Sequence, residues 1–269
     1  MAARARWESD AGGLLFGMKS VLQRLLPWLL LLMVWAGATA AFGGALVPGP
    51  LATGRILARL LLRADTWEHV ALTLFRGSAG MLIGVALGYL LGIPCGLSAR
   101  AMRLVSPLVT ALQSCPPIVW ISLLLVWAGI GATVPVLVVA AATFPVLFIN
   151  IAHGTADLDP GLLEMASVYR LPALRILLDI ILPGTSRYAL AAFSFALGIT
   201  WKVTATAEFF GSGTGIGARI YWAYRQLDMP LLFAWTTVIV VIGLIIEMGL
   251  VHPLRHGVRI EGQGQGGPP

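Results

Sequence analysis

The chain has 269 residues, of which 58% are hydrophobic and 11% charged, with a mean hydropathy of +0.87. Soluble domains carry about 25% charged residues, so a water-facing globular surface is excluded and a polytopic membrane protein is indicated. The formal net charge of +6 does not point to nucleic acid, because the arginines fall mostly between the apolar runs, where they anchor and orient spans.

Residues 1–24 hold Arg4, Arg6, Lys19 and Arg24 and read as a cytoplasmic N-terminal segment. The first apolar run, Leu25 to Ala45, exceeds the roughly 7–15 residues of a signal-peptide core, so it is read as a retained first span. Residues 46–74 leave the membrane. Within them LATGRILARLLLR sets Ile56, Leu60 and Arg63 at helical spacing and predicts a short surface helix. The second span, about residues 75–97, carries Gly77 and then Gly80, Gly84, Gly88, Gly92 and Gly96 at four-residue steps. That spacing makes one smooth face, suited to close packing on a neighbouring helix.

Arg100 and Arg103 precede a third span, Leu104 to Ile130, which Pro116 and Pro117 interrupt. Two prolines remove backbone hydrogen bonds and break a helix. The break has two readings, a bent helix lining a pathway or a kink that serves packing. The fourth span runs from Val134 to Ala152, the fifth from Tyr188 to Phe209 and the sixth from Leu231 to Val251. A glycine-rich polar segment, GSGTGIGARIYWAYRQLDMP, joins the last two. Residues 252–269 form a basic, low-complexity tail expected to be disordered.

Six spans put both termini on one side. With the N-terminus inside, eleven basic residues lie inside and six outside, which favours N-in and C-in. The expected fold is therefore an all-α polytopic membrane protein of six transmembrane helices over residues 25–251.

Between the fourth and fifth spans lies an island of charge, Asp157 to Pro183 (DLDPGLLEMASVYRLPALRILLDIILP). The charge bias places it in the cytoplasm. Asp159 fits an N-cap with Pro160 at the first helical position. Leu162, Leu163, Ala166 and Tyr169 can then form one apolar stripe, with Glu164 beside it. Pro172 disfavours helix at Leu171 and suits the start of a second helix, which Pro183 limits. The expectation is a cytoplasmic pair of short helices, broken at Pro172, within residues 157–185.

Glu164-Met165-Ala166, followed by Ile180, Leu182 and Pro183, resembles the EAA motif of permease subunits of bacterial ABC importers. The family pattern is E-A-A, three residues, a glycine, nine residues, then I-x-L-P. This chain departs from it at Met165 and at Arg170, which stands at the glycine position, so Pro172 is expected to make the bend. Thr73-Leu74-x-Arg76, the proline-broken third span, Trp201 with Glu208, and Gly215-x-Gly217 extend the likeness to the nitrate, sulfonate and taurine permeases. The resemblance covers roughly Thr73 to Val251. It implies a coupling helix seated in a cytoplasmic ATP-binding subunit, with a second permease copy, an extracytoplasmic solute-binding protein and a bacterial inner-membrane location. Leu163, Glu164, Ala166, Tyr169, Arg170 and Pro183 are the docking candidates.

The remaining candidates line a translocation pathway: Pro116, Pro117, Lys202 and Glu208. Lys202 lies about 14 positions into the fifth span, roughly 21 Å along it. A lysine at span depth costs about 2.5–3.5 kcal/mol. It reads either as a cation in the pathway, attracting an anionic solute, or as a side chain snorkelling to the outer interface. Glu208 is expected at that interface. GSGTGIG lacks the Lys-Ser/Thr ending of a P-loop, so ATP hydrolysis is assigned to a separate subunit. Cys95, Cys115, His252 and His256 form no ligand set, and no cofactor, metal or catalytic residue is expected. The alternative class is an ion- or proton-coupled carrier or an intramembrane enzyme, either of which requires several polar groups at midplane.

Overall fold

The computed structural model describes residues 26–252. Both the N-terminal segment 1–24 and nearly all of the tail 252–269 lie outside them. The described residues are helical and contain no strand. Helix α1 is Leu26–Phe42, α2 Pro50–Leu61, α3 Ala64–Leu97, α4 Ala99–Ser114, α5 Pro117–Ala128, α6 Thr133–Ala156 and α7 Pro160–Val168. Helix α8 runs over Ala173–Gly211 and α10 over Met229–Val251, with α9, Ile216–Arg225, between them.

Helices α3, α6, α8 and α10 are each long and apolar enough to cross a membrane, and α4 with α5 makes a fifth crossing if that bent pair is one span. Helix α1 is a shorter apolar helix, fixed by stacking of Trp35 on Phe233 of α10 and by donation from Trp35 Nε1 to Pro48 O at 3.0 Å.

Glycine decides the central packing. A Cβ on Gly80, Gly84, Gly88, Gly92 or Gly96 of α3 would meet Val139, Thr143, Leu147, Ile151 or Thr155 of α6, respectively. Both series climb four residues at a time in the same direction. The two helices therefore run parallel, with backbones drawn together along one face. Parallel neighbours require the chain between them to recross, and α4 and α5 do so as a pair bent by 93° at Cys115 and Pro116. Helix α6 is the most enclosed element, with Val134, Val138, Phe148 and Ile151 buried, and it packs against α8 on its other side through Ala192 and Ala196.

The helix ends fall into two groups. At one end Gly131 N donates to Gly211 O at 2.9 Å. There α2 packs on α9 and the first turns of α3 and α10 through Leu60, Val70, Ile216 and Trp235. Helix α7 lies at the other end, after the last turn of α6.

Two elements differ from the sequence reading. Helix α3 begins eleven residues before the expected span, because 34 residues, roughly 51 Å of helix, exceed a hydrocarbon core of about 30 Å. Its charged first turns, with Asp65 and Glu68, supply the length beyond that core. The expected second cytoplasmic helix is not separate. It continues through a π-helical turn, Ile176–Ile181, into the fifth span. Pro183 does not end it. Leu182 N donates to Leu177 O, so one extra residue widens the turn just where the proline ring would crowd a carbonyl one turn back.

Candidate functional site

Three groups of side chains carry the chemistry. The first is buried where α3, α8 and the 212–217 segment meet. Arg76 and Glu208 form an ion pair at 2.8 Å, their side chains 5% and 0% exposed. Arg76 Nη1 also donates to Thr214 O at 2.6 Å and Nη2 to Thr214 Oγ1 at 2.7 Å. Glu208 Oε2 accepts from Thr73 Oγ1 at 2.7 Å and from Gly217 N at 3.1 Å. Ile216 N donates to Thr73 Oγ1 at 2.9 Å, and Gly215 N to His69 Nδ1 at 3.1 Å. A buried charge is tolerated when its partner and its hydrogen bonds are both supplied, and here three donors converge on one carboxylate. Gly215 has φ +103°, and a Cβ there would overlap that carboxylate. Glycine is thus required both by backbone conformation and by space.

The Glu208 carboxylate is enclosed by α3 and the glycine-rich segment, so within a single copy it borders no opening. Thr73, Arg76, Gly215 and Gly217, which looked like separate features in sequence, are its partners. Thr214 was missed altogether. An arginine and a glutamate in otherwise apolar surroundings have to pair, but that rule does not say which cation joins Glu208.

The second group is α7 and its exit. Asp159 caps the helix, Oδ1 accepting from Gly161 N at 2.8 Å, and Pro160 is its first residue. At the other end Leu171 N donates to Ala166 O and Arg170 N to Ser167 O, both at 3.0 Å. That paired closure requires a left-handed residue at Arg170, and Arg170 has φ +52°. The bend is therefore made by Arg170 in the conformation a glycine would take. Pro172 follows in extended conformation as the cap of α8. Ala166 is fully buried and Leu163 half-buried, so this side of α7 faces the protein. The expected single stripe is split. Glu164, Met165, Val168, Tyr169 and Arg170 point outward, with Val168 78% and Tyr169 73% exposed. Near the base of α8 the Tyr188 hydroxyl donates to Asp157, and Leu158 sits over Gly184. Pro183 is exposed one turn below Arg187.

The third group lies along α8. Lys202 is exposed, its Nζ 5.4 Å from the Trp201 ring centroid. Trp201 itself seats against Gly243 of α10. A hollow of about 370 Å³ opens there between α8 and α10. Pro116 and Pro117 are exposed at the elbow between α4 and α5.

The family model described as "Binding-protein-dependent transport system inner membrane component" matches residues 84–252. The chain belongs to this family. The permease is 31% identical over 204 residues to the putative aliphatic sulfonates transport permease protein SsuC of Escherichia coli K12, across 74% of this chain and 78% of that one. It is 26% identical over 187 residues to the taurine transport system permease protein TauC of the same organism, across 70% and 68%. The nitrate import permease protein NrtB of Leptolyngbya laminosa is 28% identical over 160 residues, across 60% and 57%. In fold, the permease resembles a chain of the MetNI methionine ABC transporter in inward-facing conformations, with a TM-score of 0.56 and 20% identity over 71% of this chain and 94% of that one. These findings agree with the nitrate, sulfonate and taurine group that the loop motif and its flanking features resemble. The permease is an inner-membrane, multi-pass transport subunit of an ATP-driven importer. It is not an enzyme: it works with a separate ATP-binding subunit and a solute-binding protein.

Proposed function

We propose that two copies of this permease form a pathway for a small anion, with Lys202 as the cation that attracts it. The observation that carries this reading is Lys202 itself, a lysine at span depth that is exposed on a single copy and borders a hollow of about 370 Å³. A lysine there costs about 2.5–3.5 kcal/mol against lipid. A second copy and an aqueous pathway relieve that cost, and an anionic solute complements the charge. Names of the similar permeases agree, since aliphatic sulfonates, taurine and nitrate all present an anionic oxygen cluster.

Six spans with both termini and α7 in the cytoplasm complete the proposal. In it, Glu164 and Arg170 contact the ATP-binding subunit and Tyr169, Met165 and Val168 supply the apolar contacts, while Leu163, Ala166 and Pro183 hold the loop in shape. A single exposed ion pair is worth only about 0–1 kcal/mol, so the apolar contacts carry most of the affinity.

The test is uptake by the complete complex in proteoliposomes, with taurine, butanesulfonate and nitrate as probes. Lys202→Ala is expected to raise KM for the transported anion about tenfold, the equivalent of one 1.4 kcal/mol contact, and Lys202→Arg to restore it in part. An unchanged KM in Lys202→Ala sinks the assignment of Lys202. Transport of none of the three anions by the unmodified complex sinks the solute class.

A further inference from the structure

Two hollows lie end to end along one open face of α8. One is the Lys202 hollow. The other, about 340 Å³, is bordered by Gln113 of α4, Asn150 of α6 and Ala191 of α8. Phe195 borders both, half of its side chain exposed. It lies seven positions from Lys202, roughly 10 Å along the helix.

Both hollows offer hydrogen-bond donors to an anion, although the Glu247 carboxylate also borders the Lys202 hollow. Lys202 brings three ammonium N–H groups. The Asn150 amide carries two N–H groups, and among the described residues only one is used, donating to Val146 O at 2.8 Å. Gln113 adds a second, exposed amide. Phe195, between them, offers none. A desolvating anion gains at either hollow and loses at the phenyl ring, which is the physical basis of a hydrophobic constriction.

Water, not lipid, is the medium that fits this face. Helix α4 shows the contrast. Leu104 and Leu108 form one exposed apolar side, whereas Arg103, Thr110 and Gln113 form a separate exposed polar side. On α8 the open face is likewise mixed, with Lys202 and Thr206 exposed. Polar groups at span depth are costly against hydrocarbon and ordinary beside a water-filled pathway.

We infer that Phe195 is the gate of the pathway, separating an outer anion station at Lys202 from an inner one at Asn150 and Gln113. This rests on the reading that the open face of α8 carries the solute, and the experiment separates the two.

The complete complex is reconstituted with a Cys95→Ala/Cys115→Ser permease, and single cysteines replace Asn150, Lys202, Leu104 or Leu108. A membrane-impermeant anionic methanethiosulfonate is expected to label positions 150 and 202 and to spare 104 and 108. In parallel, proteoliposomes preloaded with taurine, butanesulfonate or nitrate are followed without ATP. Phe195→Ala is expected to leak the transported anion at least about tenfold faster than the unmodified complex. Phe195→Leu is expected to stay tight, and ATP hydrolysis by each variant checks that the complex is assembled. Labelling together with leak supports the gate. Labelling without leak in an assembled Phe195→Ala complex overturns the gate and keeps the pathway. Absence of labelling at 150 and 202 overturns the pathway, and the gate with it.

Discussion

Arg76 and Glu208 illustrate what one pair of residues contributes when water is excluded. Each would be very costly alone at 5% and 0% side-chain exposure, and the three donors on Glu208 make the pair tolerable. Arg76→Met is expected to destabilise the permease by about 3–5 kcal/mol, because it leaves a carboxylate uncompensated. Removing both charges, in Arg76→Met with Glu208→Leu, is expected to recover much of that loss. Thermal unfolding of the purified complex checks both, and equal Tm values for the single and double variants would contradict the pairing. Arg170 is the opposite case, a residue that works against its own backbone. A left-handed conformation costs a non-glycine residue about 1–2 kcal/mol, so Arg170→Gly is expected to raise the unfolding temperature while weakening capture of the ATP-binding subunit in a pull-down. A drop in both would show that the side chain, not the backbone, holds the bend. Sequence pattern reached some of these residues and not others. The Asp159 cap and Pro160 were legible because capping is local. The left-handed state of Arg170 was not, since the closing bonds to Ser167 and Ala166 come from the fold of the turn and not from arginine's own preference. The 132-residue separation of Arg76 and Glu208 put their pairing beyond any local pattern.

At the scale of elements, the α3–α6 contact is the clearest case of a pattern that was legible, with a partner that was not. Four-residue glycine spacing predicted a close helix contact, but nothing in it specified α6, or that the two run parallel. Bulk added to that seam must push the helices apart. Gly88→Leu drives side-chain atoms into Leu147 and is expected to cost about 1–3 kcal/mol as overpacking. Gly54 of α2 has nothing within 4 Å of an added Cβ, so Gly54→Ala is expected to stabilise by about 0.5–1 kcal/mol through helix preference. The two variants, compared by thermal unfolding, should move in opposite directions, and a Gly88→Leu protein as stable as the parent would refute the ladder. Helix α8 shows the reverse kind of illegibility. Pro172 and Pro183 bracket a stretch that reads as a short, isolated helix, yet only Pro172 marks a boundary. A π-helical turn lets the backbone pass Pro183, and no residue pattern announces such a turn in advance.

On the scale of the whole molecule, the parallel course of α3 and α6 constrains topology more tightly than the charge bias of the loops. If these two cross in one direction, α4 with α5 must cross back, and the 129–132 turn lies at the same end as the α9 segment, to which Gly131 is bonded through Gly211. Helix α7 then occupies the opposite end. Helix α8, 39 residues and roughly 58 Å if uniformly α-helical, joins the two ends without a break, from the α7 exit to the Arg76–Glu208 pair. At its far end the pair clamps the 212–217 segment onto α3. With α7 on the cytoplasmic side, as proposed above, this arrangement predicts a labelling pattern. In a permease with Cys95 and Cys115 replaced, Val168→Cys is expected to react with an impermeant thiol reagent only from the cytoplasmic side of sealed vesicles, and Leu227→Cys only from the other side. Both residues are more than two-thirds exposed, so access within the single chain does not limit either reaction. Labelling of both positions from the same side would break the parallel pairing of α3 and α6 and, with it, the separation of α7 from the glycine-rich segment.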